Sequence, residues 1–133
     1  MREEAALATA ILKKLRARRR TALATVVRVS GSAYRREGAK VAIDETGITT
    51  GMISGGCLEP EVVETAAGVL RDGQPRARRF DLEDDVLWGL GMGCGGTVDV
   101  LIELVTKHPA WKHWLLSLSQ GEAAVRAVVH GPA

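Results

Sequence analysis

The chain has 133 residues, of which 46% are hydrophobic and 26% charged, and a formal net charge of +2. That length holds one domain with a buried core, and the composition excludes a disordered chain. A net charge this small does not by itself point to nucleic acid. No run of about 18 apolar residues occurs, which argues against a helical membrane span. The start Met1-Arg2-Glu3-Glu4 lacks the apolar stretch of a secretory signal, so a cytoplasmic location is expected. Two cysteines cannot make a disulfide framework.

Ala6, Leu7, Ala10, Ile11 and Leu15 recur at three- and four-residue intervals and predict a helix over 3–20. Six of the eight residues 13–20 are basic. They read either as a solvated complement to the helix dipole or as an anion- or partner-binding patch. The β-branched run Thr21–Ser30 predicts a strand, and 40–44 and 48–50 form a hairpin around Glu45-Thr46-Gly47. Val62, Val63, Ala66, Ala67 and Leu70 mark a helix over 58–71, whose first turn must contain Pro60. Strands are predicted over 78–82 and 97–105, a helix over 109–118 and a last strand over 123–129. The expected architecture is a single compact α/β or α+β domain with a mixed β-sheet flanked by about three helices.

Both cysteines lie at glycine clusters. In Ser54-Gly55-Gly56-Cys57 the glycines allow close backbone approach to a ligand. A loop that feeds a helix N-terminus favours anions and lowers a thiol pKa. In the stretch 89–96, five of eight residues are glycine, with Cys94 flanked by Gly93, Gly95 and Gly96. Such a loop is tolerated where backbone must bend sharply or touch a ligand, and its thiol can meet a soft metal or carry sulfur. Two thiols beside anion-binding amides suit a ligand that is both anionic and thiophilic. A pair of tight structural turns is the plainer alternative.

Other chemistry fits less well. Thirty-six residues lie between the cysteines, far from zinc-ligand spacing. The glycines match neither the phosphate loop nor the dinucleotide fingerprint. His108, His113 and His130 read as surface or capping residues. Arg35 and Arg36, with Lys40, offer a phosphate or carboxylate contact. Glu59, Asp81 and Glu103 are candidates to hydrogen-bond a heterocycle, whereas Trp88, Trp111 and Trp114 read as packing residues.

Five segments occur in a fixed order: Gly31-Ser32-Ala33-Tyr34-Arg35-Arg36-x-Gly38-Ala39, Gly51-x-Ile53-Ser54-Gly55-Gly56-Cys57-Leu58-Glu59, Pro75-Arg76, Phe80-Asp81-Leu82 and Gly91-Met92-Gly93-Cys94-Gly95-Gly96-x-Val98. In this the chain resembles, over residues 5–105, the N-terminal domain of the XdhC/CoxI family. Those are accessory proteins that mature xanthine dehydrogenase and related molybdenum hydroxylases. Tyr34 stands where proline is common in the family.

The resemblance implies a molybdenum cofactor (molybdopterin) chaperone without turnover of its own, which protects its cargo and supports its sulfuration and insertion. The implied partners are an apo-molybdenum hydroxylase and a cysteine desulfurase, with no role for nucleic acid or membrane. Carried over by position, Cys57 and Cys94 are the cofactor- or sulfur-handling thiols, in contact with molybdenum or sulfur. Ser54, Gly55, Gly56, Gly93, Gly95 and Gly96 form the cradle, and Arg35 or Arg36 meets the phosphate. Larger relatives carry a C-terminal Rossmann-like half. The expectation for 1–133 is one domain without it, which can call on a separate Rossmann-like partner chain. An exposed sheet edge makes a homodimer the expected assembly. Two alternatives stand beside this reading: a thiol/disulfide redox or sulfur-transfer protein using Cys57 and Cys94, and a non-catalytic interaction subunit docked through its basic helix end.

Overall fold

The computed structural model describes residues 2–31, 37–54, 58–81 and 96–121. Helix α1 (Arg2–Arg16) leads into strands β1 (Thr21–Ser30), β2 (Lys40–Asp44) and β3 (Thr49–Gly51). Helix α2 (Glu59–Asp72), strands β4 (Arg76–Asp81) and β5 (Thr97–Leu104) and helix α3 (Pro109–Ser119) follow. The expected strand over 123–129 lies outside the described residues. No helix among the described residues is long and apolar enough to cross a membrane.

The strands form one sheet in the order β3-β2-β1-β5-β4, and every described pairing is antiparallel. Of the two classes expected, the fold is therefore α+β, and its sheet is antiparallel rather than mixed among the described strands. The reason lies in the one long crossover. Helix α2 joins β3 to β4, which run in the same direction but occupy opposite edges of the sheet. A crossover makes a parallel pair only when its two strands become neighbours.

Strand alternation divides the interior into two layers. Ala22, Ala24 and Val26 of β1, Val41 and Ile43 of β2, and Val98, Val100 and Ile102 of β5 pack against Val62, Ala66 and Val69 of α2. On the other face, Leu23 and Ala42 meet Leu7, Ala8 and Ile11 of α1 and Trp114, Leu115 and Leu118 of α3. The buried stripe of α2 thus runs through 62, 66 and 69, while Ala67 faces outward. Trp111 and Trp114 pack edge to face, with ring centroids 6.0 Å apart. A register shift between Val26 and Arg28 keeps Val29 on the α2 face despite the odd spacing, as a one-residue bulge does.

The helix ends follow local chemistry. Gly73, at φ +74°, closes α2 by donating its N–H to the Val69 carbonyl at 2.8 Å. His108 caps α3, its Nδ1 accepting from the Ala110 N–H at 3.1 Å, in keeping with the capping role expected of it; His113 is exposed. Helix α1 stops before the expected residue 20. The Arg18 N–H donates to the Leu15 carbonyl and the Arg19 N–H to the Lys14 carbonyl, each at 3.0 Å. This is a Schellman closure with arginine, at φ +61°, in the left-handed position usually held by glycine.

In that motif an apolar contact normally joins the residues corresponding to Lys14 and Arg19. Here both cations instead reach Asp44, which is 1% exposed at the end of β2. Lys14 Nζ lies 2.6 Å from Asp44 Oδ2, and Arg19 Nη1 lies 3.9 Å from it. Asp44 Oδ1 accepts from the Thr46 N–H at 2.8 Å, the Ile48 N–H at 3.3 Å and the Thr46 hydroxyl. Burial alone would raise the carboxyl pKa. The Lys14 and Thr46 hydrogen bonds outweigh it and hold Asp44 well below the usual carboxylate range.

Replacing one member of this pair strands the other. Asp44→Asn should cost about 3 kcal/mol in urea unfolding. Because the folded pKa is depressed, Asp44 contributes fully above its unfolded pKa of about 4 and loses that contribution as pH falls further. Wild-type stability should therefore drop more steeply on acidification below about pH 4 than that of Asp44→Asn. A second prediction concerns Thr25, whose buried Oγ1 finds no hydrogen-bond partner among the described residues. Thr25→Val, which keeps the shape and removes the orphaned hydroxyl, should raise the unfolding free energy by about 1 kcal/mol.

Candidate functional site

Antiparallel order brings the segments singled out in the sequence to one end of the sheet. Ser30 of β1 pairs with Thr97 of β5, and Thr97 pairs with Asp81 of β4, so three strands meet the same boundary. Gly51 of β3 lies opposite Val41 of β2, and the Met52 N–H reaches the Lys40 carbonyl at 3.1 Å. The residues that flank 32–36, 55–57 and 82–95 all leave from this end. Cys57, Cys94, Gly55, Gly56, Gly93, Gly95, Arg35, Arg36 and Trp88 themselves lie outside the described residues, as does His130. Of the cradle positions, Ser54 and Gly96 are described, and both are buried.

A hydrogen-bond network ties together the residues that flank Cys57. Ile53 and Leu58 are 2% and 6% exposed and belong to the α2-side core. Between them, Ser54 Oγ accepts the Leu58 N–H at 2.8 Å and donates to Glu59 Oε1. Glu59 Oε2 accepts the N–H groups of Ile53 at 2.8 Å and Ser54 at 3.1 Å. Burial pushes the Glu59 carboxyl up, but these hydrogen bonds more than offset it, and its pKa falls below the ordinary 4.5. Gly51 completes the approach to the stem. At φ +96°, a Cβ there would sit 2.5 Å from the Lys40 carbonyl oxygen, so no side chain fits.

Several expectations change in this light. Glu59 is spent on tying residues 53 and 54 to the start of α2, rather than held ready for a heterocycle. Its position six residues after Ile53 was the available signal, because a carboxylate at a helix start reaches back to unpaired N–H groups. Glu103 pairs opposite Leu23, toward the far end of the sheet, whereas Asp81 lies at the loop end. Among the described residues, Lys40 is engaged on the side of α1 and α3. Its Nζ donates to the Gly38 carbonyl at 2.7 Å, lies 3.7 Å from Glu4 and sits 5.9 Å from the Trp114 ring centroid. Trp111 and Trp114 pack in the core layer, as expected of packing residues.

Away from this end, an open cleft of about 450 Å³ runs between α2 and β4, lined in part by Thr65, Arg71, Arg76 and Arg78. Its arginines are largely committed. Arg76 holds Asp72 with Nη2 at 2.7 Å, and Arg78 donates to the Thr65 hydroxyl at 2.6 Å. No group of three His, Cys, Asp or Glu side chains among the described residues is placed to hold a metal ion.

A sequence model of the XdhC and CoxI family matches residues 14–81, just over half of the chain. The chain belongs to the XdhC and CoxI family. That match takes in Arg35, Arg36 and the Ser54–Cys57 segment and stops before Cys94. Beyond the family model, the chain is 38% identical over 88 residues to a Bacillus subtilis (strain 168) protein named as a probable xanthine dehydrogenase subunit, covering 65% of this chain and 27% of that protein. A crystal structure described as a xanthine dehydrogenase from Bacillus halodurans superimposes with a TM-score of 0.68 at 36% identity. The match covers 85% of this chain and 33% of that one. The chain therefore spans a third or less of the length of these two relatives.

The stem makes a prediction of its own. Glu59→Ala leaves the Ile53 and Ser54 N–H groups without their acceptor and should cost about 1–2 kcal/mol. Amide hydrogen exchange at Ile53 and Ser54 should accelerate in the variant. In the wild type the same two amides should lose protection as pH falls below 4.5 and Glu59 protonates, because a depressed pKa marks a contribution that acid removes.

Proposed function

We propose that this chain is the cofactor-holding domain of a xanthine dehydrogenase accessory protein, with molybdenum cofactor as its cargo rather than its catalyst. The observation that carries this reading is the convergence of the stems flanking Cys57 and Cys94 on one end of a rigid sheet. The chemistry of the flanking sequence agrees with the cargo. A dithiolene-bound molybdenum is thiophilic, and Cys57 and Cys94 are the two thiols of the chain. A terminal phosphate suits glycine amides and the guanidinium groups of Arg35 and Arg36.

On this reading, the protein's own residues bind and shield. Ser54 and Glu59 fix the entry to Cys57, Gly96 leads into β5 two residues after Cys94, and Arg35 and Arg36 neutralise the phosphate. The cargo is then passed to an apo-molybdenum hydroxylase after sulfuration by a cysteine desulfurase, and this chain turns nothing over. The relatives' names, which place them with xanthine dehydrogenase, support the choice of recipient.

The test is a cofactor assay on protein purified without oxygen from a host that makes the cofactor. Acid oxidation releases a fluorescent pterin, and metal analysis counts molybdenum in parallel. The expected outcome is stoichiometric pterin and molybdenum, with retention at least about tenfold lower in Cys94→Ser, the order expected when a strong contact to an ionised ligand is lost. Unchanged retention in both Cys57→Ser and Cys94→Ser would remove the thiols from the site. Ready formation of a Cys57–Cys94 disulfide on mild oxidation, with no bound pterin, would move the assignment to thiol redox chemistry.

A further inference from the structure

We propose that the end of the sheet opposite the cysteine-flanking stems is a docking surface for an acidic face of a partner protein. Helix α1 ends there, β1 begins there, and the connection from β5 to α3 passes through it, the Val105 N–H donating to the Thr21 carbonyl at 2.9 Å. This end displays Lys13, Arg16, Arg18, Arg20 and Lys107, all exposed. None of the five side chains has an ion-pair partner among the described residues. The remaining cations of the basic run, Lys14 and Arg19, are turned inward to Asp44. The run is thus divided into a structural pair and a displayed set.

The displayed set is unfavourable for the fold alone. Lys13 and Arg16 are like charges one turn apart, which destabilises a helix. Arg18 holds a left-handed backbone, φ +61°, where glycine would sit without strain. Its side chain is exposed and makes no hydrogen bond or ion pair among the described residues that would offset the strain. Interaction with the helix dipole favours cations in the last turn, but it does not account for a strained arginine beyond that turn or for Lys107 on another element. Strain held without benefit to packing marks a residue kept for something outside the chain.

The chemistry favours an acidic protein surface over a polyanion. Glu45 lies within the patch, its Oε1 accepting the Arg20 N–H at 3.2 Å and its own N–H donating to the Arg20 carbonyl at 3.0 Å. A phosphate backbone crossing these cations would meet that carboxylate, whereas a protein face with separated acids can straddle it. Of the tryptophans of α3, Trp114 is buried and Trp111 packs half-buried against the same core, which leaves no exposed tryptophan as a stacking platform beside the cations among the described residues. The ten residues of β1 separate this surface from the loop end by about 30 Å. A partner docked here leaves the cysteine end open, whatever ligand that end holds.

Fluorescence anisotropy with a labelled octaglutamate peptide tests the surface directly on the full chain. Binding should weaken at least about tenfold in the double variant Arg16→Glu/Arg20→Glu and fall steeply with salt. Arg18→Gly should weaken binding about two- to threefold while raising the melting temperature by about 2–4 °C, since it removes strain together with charge. Arg71→Glu, on α2, serves as the control and should leave the affinity unchanged. Equal losses in the control, or no loss in the double variant, would overturn the proposal. So would a 20-base-pair DNA duplex held more tightly than the peptide at the same ionic strength, which would reassign the surface to nucleic acid.

Discussion

Everything in this fold is arranged around a strand that must be covered on both sides. From Thr21 to Ala24, β1 is buried at every residue, with Ala22 and Ala24 turned to one layer and Leu23 to the other. A strand of that kind needs hydrogen-bonded neighbours on both edges and helices on both faces, because its backbone groups and side chains have no access to water. Strands β2 and β5 supply the edges, α2 one face, and α1 with α3 the other. The small side chains at Ala22 and Ala24 let the helix layer come close to the sheet.

From this arrangement follows the division of the molecule into two ends. With every described neighbour antiparallel, the chain alternates between them, and the segments flanking the cysteines fall on one while the basic end of α1 falls on the other. The two ends are built differently. At the loop end, Glu59 gathers backbone N–H groups from residues 53 and 54 and fixes the stem before Cys57. At the opposite end, Asp44 takes in Lys14 and Arg19 and ties the close of α1 to the close of β2. Each carboxylate is held ionised by donors it gathers from a neighbouring segment, so each works as a clasp between segments.

Much of the element pattern was legible in the sequence. The strands Thr21–Ser30 and Lys40–Asp44 emerge with their predicted bounds, because β-branched residues and flanking turn signals agree there. Helix ends shifted where local closure intervened: α1 stops early since Arg18 adopts the left-handed conformation, which periodicity cannot register. Of the five positions that periodicity marks on α2, Val62 and Ala66 are buried and Val63 and Leu70 pack partly buried against the same core. Ala67 faces outward and Val69 is buried in its stead, because the helix settles its rotation against the sheet. At the candidate site, Ser54 links the Leu58 N–H to the Glu59 carboxylate, a relay that local sequence does not announce. Lys40, read as a companion to Arg35 and Arg36, is withdrawn against Trp114, since alternation along β2 puts it on the face opposite Val41.

The sequence by itself determined the family. The order and spacing of the glycine–cysteine segments are local, covalent properties, and they persist whatever the chain folds into. Only the tertiary structure decided which segments share an end of the molecule, which cations are consumed by Asp44 and which are left displayed. Those outcomes depend on strand order and on pairings between residues far apart in the chain, such as Lys14 with Asp44. Such pairings form only when both faces of β1 are covered, and no local pattern of residues encodes them.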